Sequence, residues 1–330
     1  MKKILLSLAT IAFVGAAVAG FTGAFYKDVE TSKGNTFAAG GLELLVDSES
    51  HYNGMVCTDT DGDGLGDQWQ APVGTEPAEF PVEGSDCYGT WEETDLEDIH
   101  KFFYFTDLKP GDSGEDTISL HVYDNDAWGR FIISDVVDRD DTCTGPEKKA
   151  EVENGTVCVE LDGDGEIDNY LAFTGWLDQG RIPGFQNVDE DGNVIDADDN
   201  VGNGIQLVDP MEGNNIYDEI ETGVFESPLI WDNELIGNLG PFDLKDVFSA
   251  AYSAYCTAYD LNGDNDYGYC HGFAQDGRMV KSTTYYFGLA WDFPLSTDND
   301  AQTDEYIADM TFEVEQHRNN PTPFPPVDPV

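Results

Sequence analysis

Strict alternation between apolar and polar residues constrains the fold of this chain more than any other feature of its sequence. Within 306–315, Phe312 and Val314 fall on one side of an extended chain and Glu313 falls on the other. This is the pattern of a β-strand with one buried face. The same period of two recurs at 42–46, 117–123 and 285–291. The pattern predicts an all-β protein.

Turn signals separate these strands and indicate how they connect. Lys109-Pro110-Gly111-Asp112 and Asp124-Asn125-Asp126 flank the strand at 117–123, and such residues favour tight turns. The connections predict an antiparallel β-meander or part of an antiparallel β-sandwich. One helix is expected to begin near Pro241, because apolar residues follow at helical spacing from Leu244 to Tyr255. This helix would pack across the sheet or cap it.

Three long stretches carry many Asp, Gly and Asn residues and little periodicity, at about 47–95, 138–225 and 256–280. They are interpreted as acidic loop insertions between strands of one domain that spans 25–318. The tail at 319–330 is rich in proline and predicts an extended linker or end.

The charge of the chain limits its partners. Against 66 acidic residues there are 15 basic ones, which leaves a formal charge of -51. Such a chain repels nucleic-acid phosphates and anionic lipid headgroups, so cationic partners are expected. The acidity fits two interpretations that can hold together: a solvated surface tolerated in high salt, or carboxylates grouped to bind divalent ions.

The first 24 residues have the pattern of a secretory signal peptide. Lys2 and Lys3 precede an apolar stretch, and small residues follow it. Cleavage is expected between Ala24 and Phe25, which predicts a secreted protein. A permanent membrane anchor is the less favoured alternative, because Ser7, Thr10 and Gly15 interrupt the apolar stretch.

Six cysteines are expected to form disulfides, because their number is even in an exported chain and none forms a C-x-x-C pair. Of the fifteen possible connectivities, the local one is favoured, since each pair brackets or flanks a Gly/Asp-rich loop. It would join Cys57 to Cys87, Cys143 to Cys158, and Cys256 to Cys270.

Two short acidic motifs predict structural Ca²⁺ sites. Oxygen ligands at alternate positions can converge on one hard cation, and glycine permits the sharp turn between them. Neither motif has the final Glu of an EF-hand, and both resemble the shorter loops of thrombospondin type 3 repeats. The predicted ligands are Asp59, Asp61, Asp63 and Asp67 in the first loop, and Glu160, Asp162, Asp164 and Asp168 in the second. Looser versions occur at 187–192 and 260–264.

The sequence has no set of residues that predicts catalysis. Its five histidines form no H-E-x-x-H motif, and neither a G-x-S-x-G elbow nor a phosphate-binding loop occurs. His121 is interpreted as a packed or surface residue of a strand. The chain is therefore expected not to be an enzyme.

Three stretches together resemble the TasA/camelysin family of exported filament and matrix proteins. They are Ala24 to Leu44, with its Gly40-Gly41-Leu42-Glu43-Leu44 end, then Leu108-Lys109-Pro110-Gly111-Asp112-Ser113-Gly114, and finally Asp300 to Asn320. The resemblance implies a jelly-roll sandwich and export through a dedicated signal peptidase. It also implies polymerisation in which a freed N-terminal segment completes the sheet of a neighbouring copy. The alternative is that Phe25–Phe37 pairs within its own sheet.

These observations favour a secreted structural subunit of an extracellular fibre or biofilm matrix, stabilised by Ca²⁺ and disulfides. Self-association is then the main interaction. The alternative is a monomeric Ca²⁺-dependent adhesin that binds a matrix or cell-surface polymer, with Trp69, Trp91 or Trp176 stacking on sugars unless they are buried. A secreted metallopeptidase is a third interpretation. Peptidase activity has been ascribed to camelysin, but no residue set here can be assigned to it.

Overall fold

The computed structural model describes residues 27–31, 41–140, 142–158, 165–178, 187–188, 194–195, 229–253 and 273–324. Within these ranges the strands are β1 (Lys27–Thr31), β2 (Glu43–Tyr52), β3 (Met55–Thr58), β4 (Gln68–Gln70), β5 (Trp91–Thr94), β6 (Ser113–Tyr123), β7 (Ala127–Asp140), β8 (Ala172–Leu177), β9 (Asn187–Val188), β10 (Val194–Ile195), β11 (Leu229–Leu235), β12 (Phe242–Asp243), β13 (Thr283–Asp292) and β14 (Asp304–Gln316). The α-helices are α1 (Gly145–Asn154) and α2 (Leu244–Ala251).

Two antiparallel sheets form the body of the protein. The larger one has the order β11-β8-β13-β6-β2-β3-β4, with β5 also pairing with β2, and the smaller one has the order β1-β14-β7-β12. The strands β9 and β10 pair only with each other. The prediction of an all-β, antiparallel fold is confirmed.

The core lies between the two sheets. Leu44, Leu120 and Tyr285 of the larger sheet are fully buried, and Phe131 and Phe312 of the smaller sheet belong to the same cluster. The rings of these two phenylalanines pack at a centroid distance of 5.2 Å. Burying side chains of this size stabilises the fold by about 1.5–3 kcal/mol each. Within the described part of the chain, no helix has the length and apolar character needed to span a membrane.

The predicted strands are present, but two of them are buried on both faces. In β6, Ser119 and His121 are nearly as inaccessible as the apolar residues that alternate with them. In β14, Thr311 and Glu313 are also buried. The alternating pattern therefore predicted the position of these strands and the residues that face the core. The residues that bury the other face of each strand come from elsewhere in the chain.

For β14, part of that cover is the start of the proline-rich tail. The Trp128 indole N–H donates to the Asn320 carbonyl at 2.8 Å. The guanidinium of Arg130, which pairs with Glu313, lies 4.5 Å from the Phe324 ring centroid. Apolar and hydrogen-bonding contacts therefore hold residues 320–324, the start of the predicted linker or end, on the sheet.

The insertion boundaries also need correction. The stretch 47–95 contains most of β2 and all of β3, β4 and β5, and 138–225 contains α1 and the internal strand β8. Five of the six residues of β8 are buried, so this strand has no alternation to reveal it. The predicted helix begins at Leu244 rather than near Pro241, because Phe242 and Asp243 pair with β7.

Candidate metal-binding loop and its surroundings

The first acidic loop connects β3 to β4 and is held at its base. Cys57 in β3 forms a disulfide with Cys87. The Gly66 N–H donates to the Thr90 carbonyl at 2.8 Å, and the Asp67 N–H donates to the Thr58 carbonyl at 3.1 Å. A Cβ atom at Gly66 would lie only 2.6 Å from the Cys57 Sγ. Glycine is therefore required where the loop returns to the disulfide.

Three of the four predicted ligands converge in this loop. Asp59, Asp61 and Asp63 each offer one carboxylate oxygen, and these oxygens lie within 4.8 Å of one another. Two ligands on opposite sides of a Ca²⁺ ion are separated by about 4.6–5.2 Å, since each bond is about 2.3–2.6 Å long. The spacing of these oxygens therefore fits a shared divalent cation.

The backbone of the loop organises the Asp59 carboxylate. It accepts hydrogen bonds from the Gly64 and Gly62 N–H groups at 2.8 and 2.7 Å. These bonds lower the pKa of Asp59, whereas the negative charge of Asp63 raises the pKa of Asp61. Repulsion between the loop carboxylates is what a bound cation would relieve. Gly62 and Gly64 have positive φ angles of 82° and 89°, which other residues rarely adopt.

The fourth predicted ligand closes the loop instead of joining the group. Asp67 accepts hydrogen bonds from both the backbone N–H and the hydroxyl of Thr60, each at 2.8 Å. A further acidic side chain, which the sequence motif did not include, lies beside the loop. The Glu92 N–H donates to the Gly64 carbonyl at 3.0 Å, and its carboxylate packs against Gly64.

An acidic groove adjoins the loop. Besides Asp59 and Glu92 it is lined by Asp47, Glu49 and Glu93. His121 contacts the acidic groove. Its Nε2 atom lies 2.6 Å from the Asp47 carboxylate, and its Nδ1 atom lies 2.8 Å from the Thr284 hydroxyl. His121 is thus a packed residue of β6 that also holds the groove together. The groove presents negative charge to a ligand.

Only part of the second acidic loop lies in the described residues. Glu160, Asp162 and Asp164 are outside them, as are Cys256, Cys270, the expected cleavage site at Ala24 and Phe25, and the looser motif at 260–264. Asp168 is described, and it lies in a 3₁₀ turn with its carboxylate against Gly237. Partial burial raises the pKa of Asp168.

Two of the three favoured disulfides are present, Cys57–Cys87 and Cys143–Cys158. The second one lies close to Asp140, whose carboxylate is 3.3 and 3.2 Å from the two sulfur atoms. Disulfide sulfur atoms carry no proton to donate and are not thiolate ligands. Asp140 and these two cysteines therefore do not make a metal site together.

The structure also brings together a carboxylate group that the sequence analysis missed. Asp140, Glu147 and Asp304 each place one carboxylate oxygen within 4.8 Å of the others. They belong to β7, α1 and β14, so no spacing within a short motif could have revealed them.

The tryptophans considered for sugar stacking are buried. Trp69, Trp91 and Trp176 expose only 5%, 4% and 2% of their surface. They pack in the fold and offer no ring face to a ligand.

The N-terminal strand β1 pairs with β14 in the same chain. The antiparallel register runs from Lys27 opposite Glu315 to Thr31 opposite Thr311. This is the arrangement that the sequence analysis left open as the alternative to strand donation. It places β1 at the edge of the smaller sheet, next to a single neighbouring strand.

Comparison with protein-family models, with curated proteins and with solved structures finds no match to this chain. The resemblance to the TasA/camelysin family therefore rests on the quoted residues alone.

Proposed function

We propose that this protein is a secreted structural subunit of an extracellular fibre or matrix, stabilised by Ca²⁺ and disulfides. The observation that carries the proposal is the position of β1 at the edge of the smaller sheet, paired through five residues along β14. A short edge strand near the start of the mature chain can be exchanged for the same strand of a second copy without changing the rest of the sheet.

Such an exchange leads to a fibre for a geometric reason. The donating strand and the accepting edge of β14 are different surfaces of the molecule, so each contact is head-to-tail. Contacts of this kind continue indefinitely unless their rotation closes a ring. The same backbone hydrogen bonds form within a chain or between chains, and local protein concentration then selects between them.

Calcium binding is supported by the first acidic loop. Its three converging carboxylates supply the hard oxygen ligands that Ca²⁺ prefers, on a loop tied to Cys57–Cys87. An exported protein needs only a dissociation constant of roughly 10⁻⁴–10⁻³ M at such a site. The high negative charge of the chain would oppose close contact between copies unless cations reduce it.

Electron microscopy of the purified chain beginning at Phe25 tests the proposal. The protein is incubated with millimolar Ca²⁺ or with chelator, beside a version that lacks 25–37. We expect regular filaments that disappear with the deletion. Val29→Pro should also prevent them, since proline removes a backbone donor from β1, whereas Val29→Thr is the matched control that keeps a β-branched residue.

Monodisperse particles under every condition would refute self-assembly of the isolated protein. Filaments that persist without 25–37 would instead refute strand donation as their mechanism. A dependence of filament formation on Ca²⁺ would attribute a role in assembly to the acidic sites.

The adhesin alternative is supported by a separate surface feature. Tyr88 and Tyr104 expose 49% and 47% of their surface and contact each other at a ring-centroid distance of 5.0 Å. The Lys101 ammonium lies 4.5 Å from the Tyr104 ring centroid. Exposed rings of this kind can stack on sugars. Binding of the monomer to a cell-surface polysaccharide, lost in Tyr88→Ala/Tyr104→Ala, would favour this function.

A further inference from the structure

Three carboxylates from distant parts of the chain meet at one end of the smaller sheet. Asp140 is the last residue of β7, and Asp304, the first residue of β14, lies directly opposite it in the strand register. Glu147 reaches the same point from the first turn of α1. Asp140 and Glu147 expose only 5% and 1% of their surface. These residues thus form a buried acidic group where two strands and a helix meet.

The start of α1 fixes the direction of the Glu147 side chain. In a reciprocal capping box, the Thr144 N–H donates to Glu147 Oε2 at 2.7 Å, and the Thr144 hydroxyl accepts from the Glu147 N–H at 3.4 Å. The disulfide Cys143–Cys158 joins the segments on either side of α1. Glu147 Oε2 is therefore committed to the cap, which leaves the second carboxylate oxygen for other contacts.

That second oxygen, Glu147 Oε1, is buried and has no hydrogen-bond partner among the described residues. Asp304 repeats the arrangement, because its Oδ2 accepts from the Glu166 N–H at 2.5 Å while its Oδ1 is buried without a donor in the described part of the chain. A buried carboxylate oxygen without a donor or cation is destabilising, because nothing replaces the water that it has lost. A cation shared between the two carboxylates would stabilise both oxygens.

No Lys or Arg of the described residues forms an ion pair with Glu147 or Asp304. The nearby Lys148 ammonium donates to the Cys143 carbonyl, and Arg139 pairs with Glu305. Additional acids surround the group instead. Glu166 lies against Asp304, to which its N–H donates, and Glu151 lies next to Glu166, so both add negative charge near the group. The local field thus favours a cation.

We propose that Asp140, Glu147 and Asp304 form a buried binding site for one Ca²⁺ ion, separate from the loop at 59–67. Their oxygens are within 4.8 Å of one another, and Ca²⁺ accepts such all-oxygen ligands in irregular geometry. Zinc is a poorer fit, since it prefers nitrogen and thiolate ligands, and the two neighbouring sulfur atoms are in a disulfide. The ion joins β7, β14 and α1, and this role does not depend on fibre assembly.

Calcium binding to the full mature chain tests the site. Protein freed of metal by chelator is titrated with CaCl₂ in a calorimeter, and its thermal unfolding is measured in chelator and in Ca²⁺. Glu147→Gln removes the charge but keeps a side-chain oxygen for the Thr144 N–H. Glu153→Gln is the matched control, because Glu153 is an exposed acid of the same helix paired with Lys149.

We expect Glu147→Gln to bind one Ca²⁺ ion fewer per chain than the parent, and Glu153→Gln to bind the same number. At a Ca²⁺ concentration ten times the dissociation constant, one ion raises the ratio of folded to unfolded protein about 11-fold. Glu147→Gln should lose this increment. In chelator, the melting temperature of Glu147→Gln should equal or exceed that of the parent, because the substitution removes the repulsion between Glu147 and the neighbouring carboxylates.

An unchanged number of bound ions in Glu147→Gln would overturn the proposal. If this variant does not fold, Asp304→Asn decides by the same measurement. The double substitution Asp61→Asn/Asp63→Asn in the first loop should remove a different ion, so that the two sites are distinguished. A missing fibre in microscopy would refute the proposed function but would leave this ion count unaffected.

Discussion

Replacing Cys57 and Cys87 together by alanine would release a loop whose ends are 30 residues apart in the sequence. In the chain-entropy model, closing a loop of this length stabilises the fold by about 3.6 kcal/mol at 25 °C. The two sulfur atoms belong to residues that expose only 1% and 4% of their surface, so the small cavities left by alanine add to the loss. We expect the free energy of unfolding to fall by about 4 kcal/mol.

Urea denaturation in Ca²⁺, followed by tryptophan fluorescence, measures this loss. The control is Cys143→Ala/Cys158→Ala, which opens a loop of 15 residues and should cost about 3 kcal/mol by the same model. A loss below about 1 kcal/mol for the first pair, at an unchanged denaturant slope, would refute the loop-entropy reasoning. The first variant should also bind Ca²⁺ more weakly at 59–67, because the loop returns against Cys57.

Three further changes test the packing and electrostatics of the sandwich. Burial, together with the negative charge of Asp116, raises the pKa of Glu115 to about 10, from 4.5 in the unfolded chain. The free energy of unfolding is therefore highest below pH 4.5, where Glu115 is protonated in both states, and falls as the pH rises to about 10. Glu115→Gln should flatten that slope and raise stability at pH 7 by about 3 kcal/mol in denaturant melts; an unchanged pH profile would contradict this. Arg130→Ala leaves the buried Glu313 without its ion pair and should lower stability by about 3–5 kcal/mol, whereas the double change Arg130→Met/Glu313→Leu should restore most of it; equal losses in both variants would argue against a charge penalty. Gly66→Ala should cost about 1–3 kcal/mol through its clash with the disulfide, and Gly145→Ala, where nothing lies within 4 Å of a new Cβ, is the control that should melt as the parent does.

Local patterns predicted the strands whose side chains alternate. The stretches at 117–123, 285–291 and 306–315 lie within β6, β13 and β14, because the period of two is a property of the extended chain itself. The strand β8 escaped prediction since it is buried on both faces. The helix α1 was missed as well, although Thr144 and Glu147 carry the capping-box spacing that marks a helix start.

The first acidic loop was predictable for the same local reason. Asp59, Asp61 and Asp63 converge because alternate positions of a glycine-rich turn point to one side of it. Asp67 fits the same motif by spacing, yet its carboxylate is bonded to Thr60. Spacing within a motif indicates which oxygens can converge, whereas competing hydrogen-bond donors select those that do.

The sequence alone determined the antiparallel all-β class, the converging carboxylates of the first acidic loop and two local disulfides, since each depends on residues near one another in the chain. Only the tertiary structure decided that β1 pairs along β14, that the segment at 320–324 covers that sheet, and that Asp140, Glu147 and Asp304 meet. These contacts join residues far apart in sequence. They form only when whole sheets pack together, and a local sequence pattern does not predict that packing.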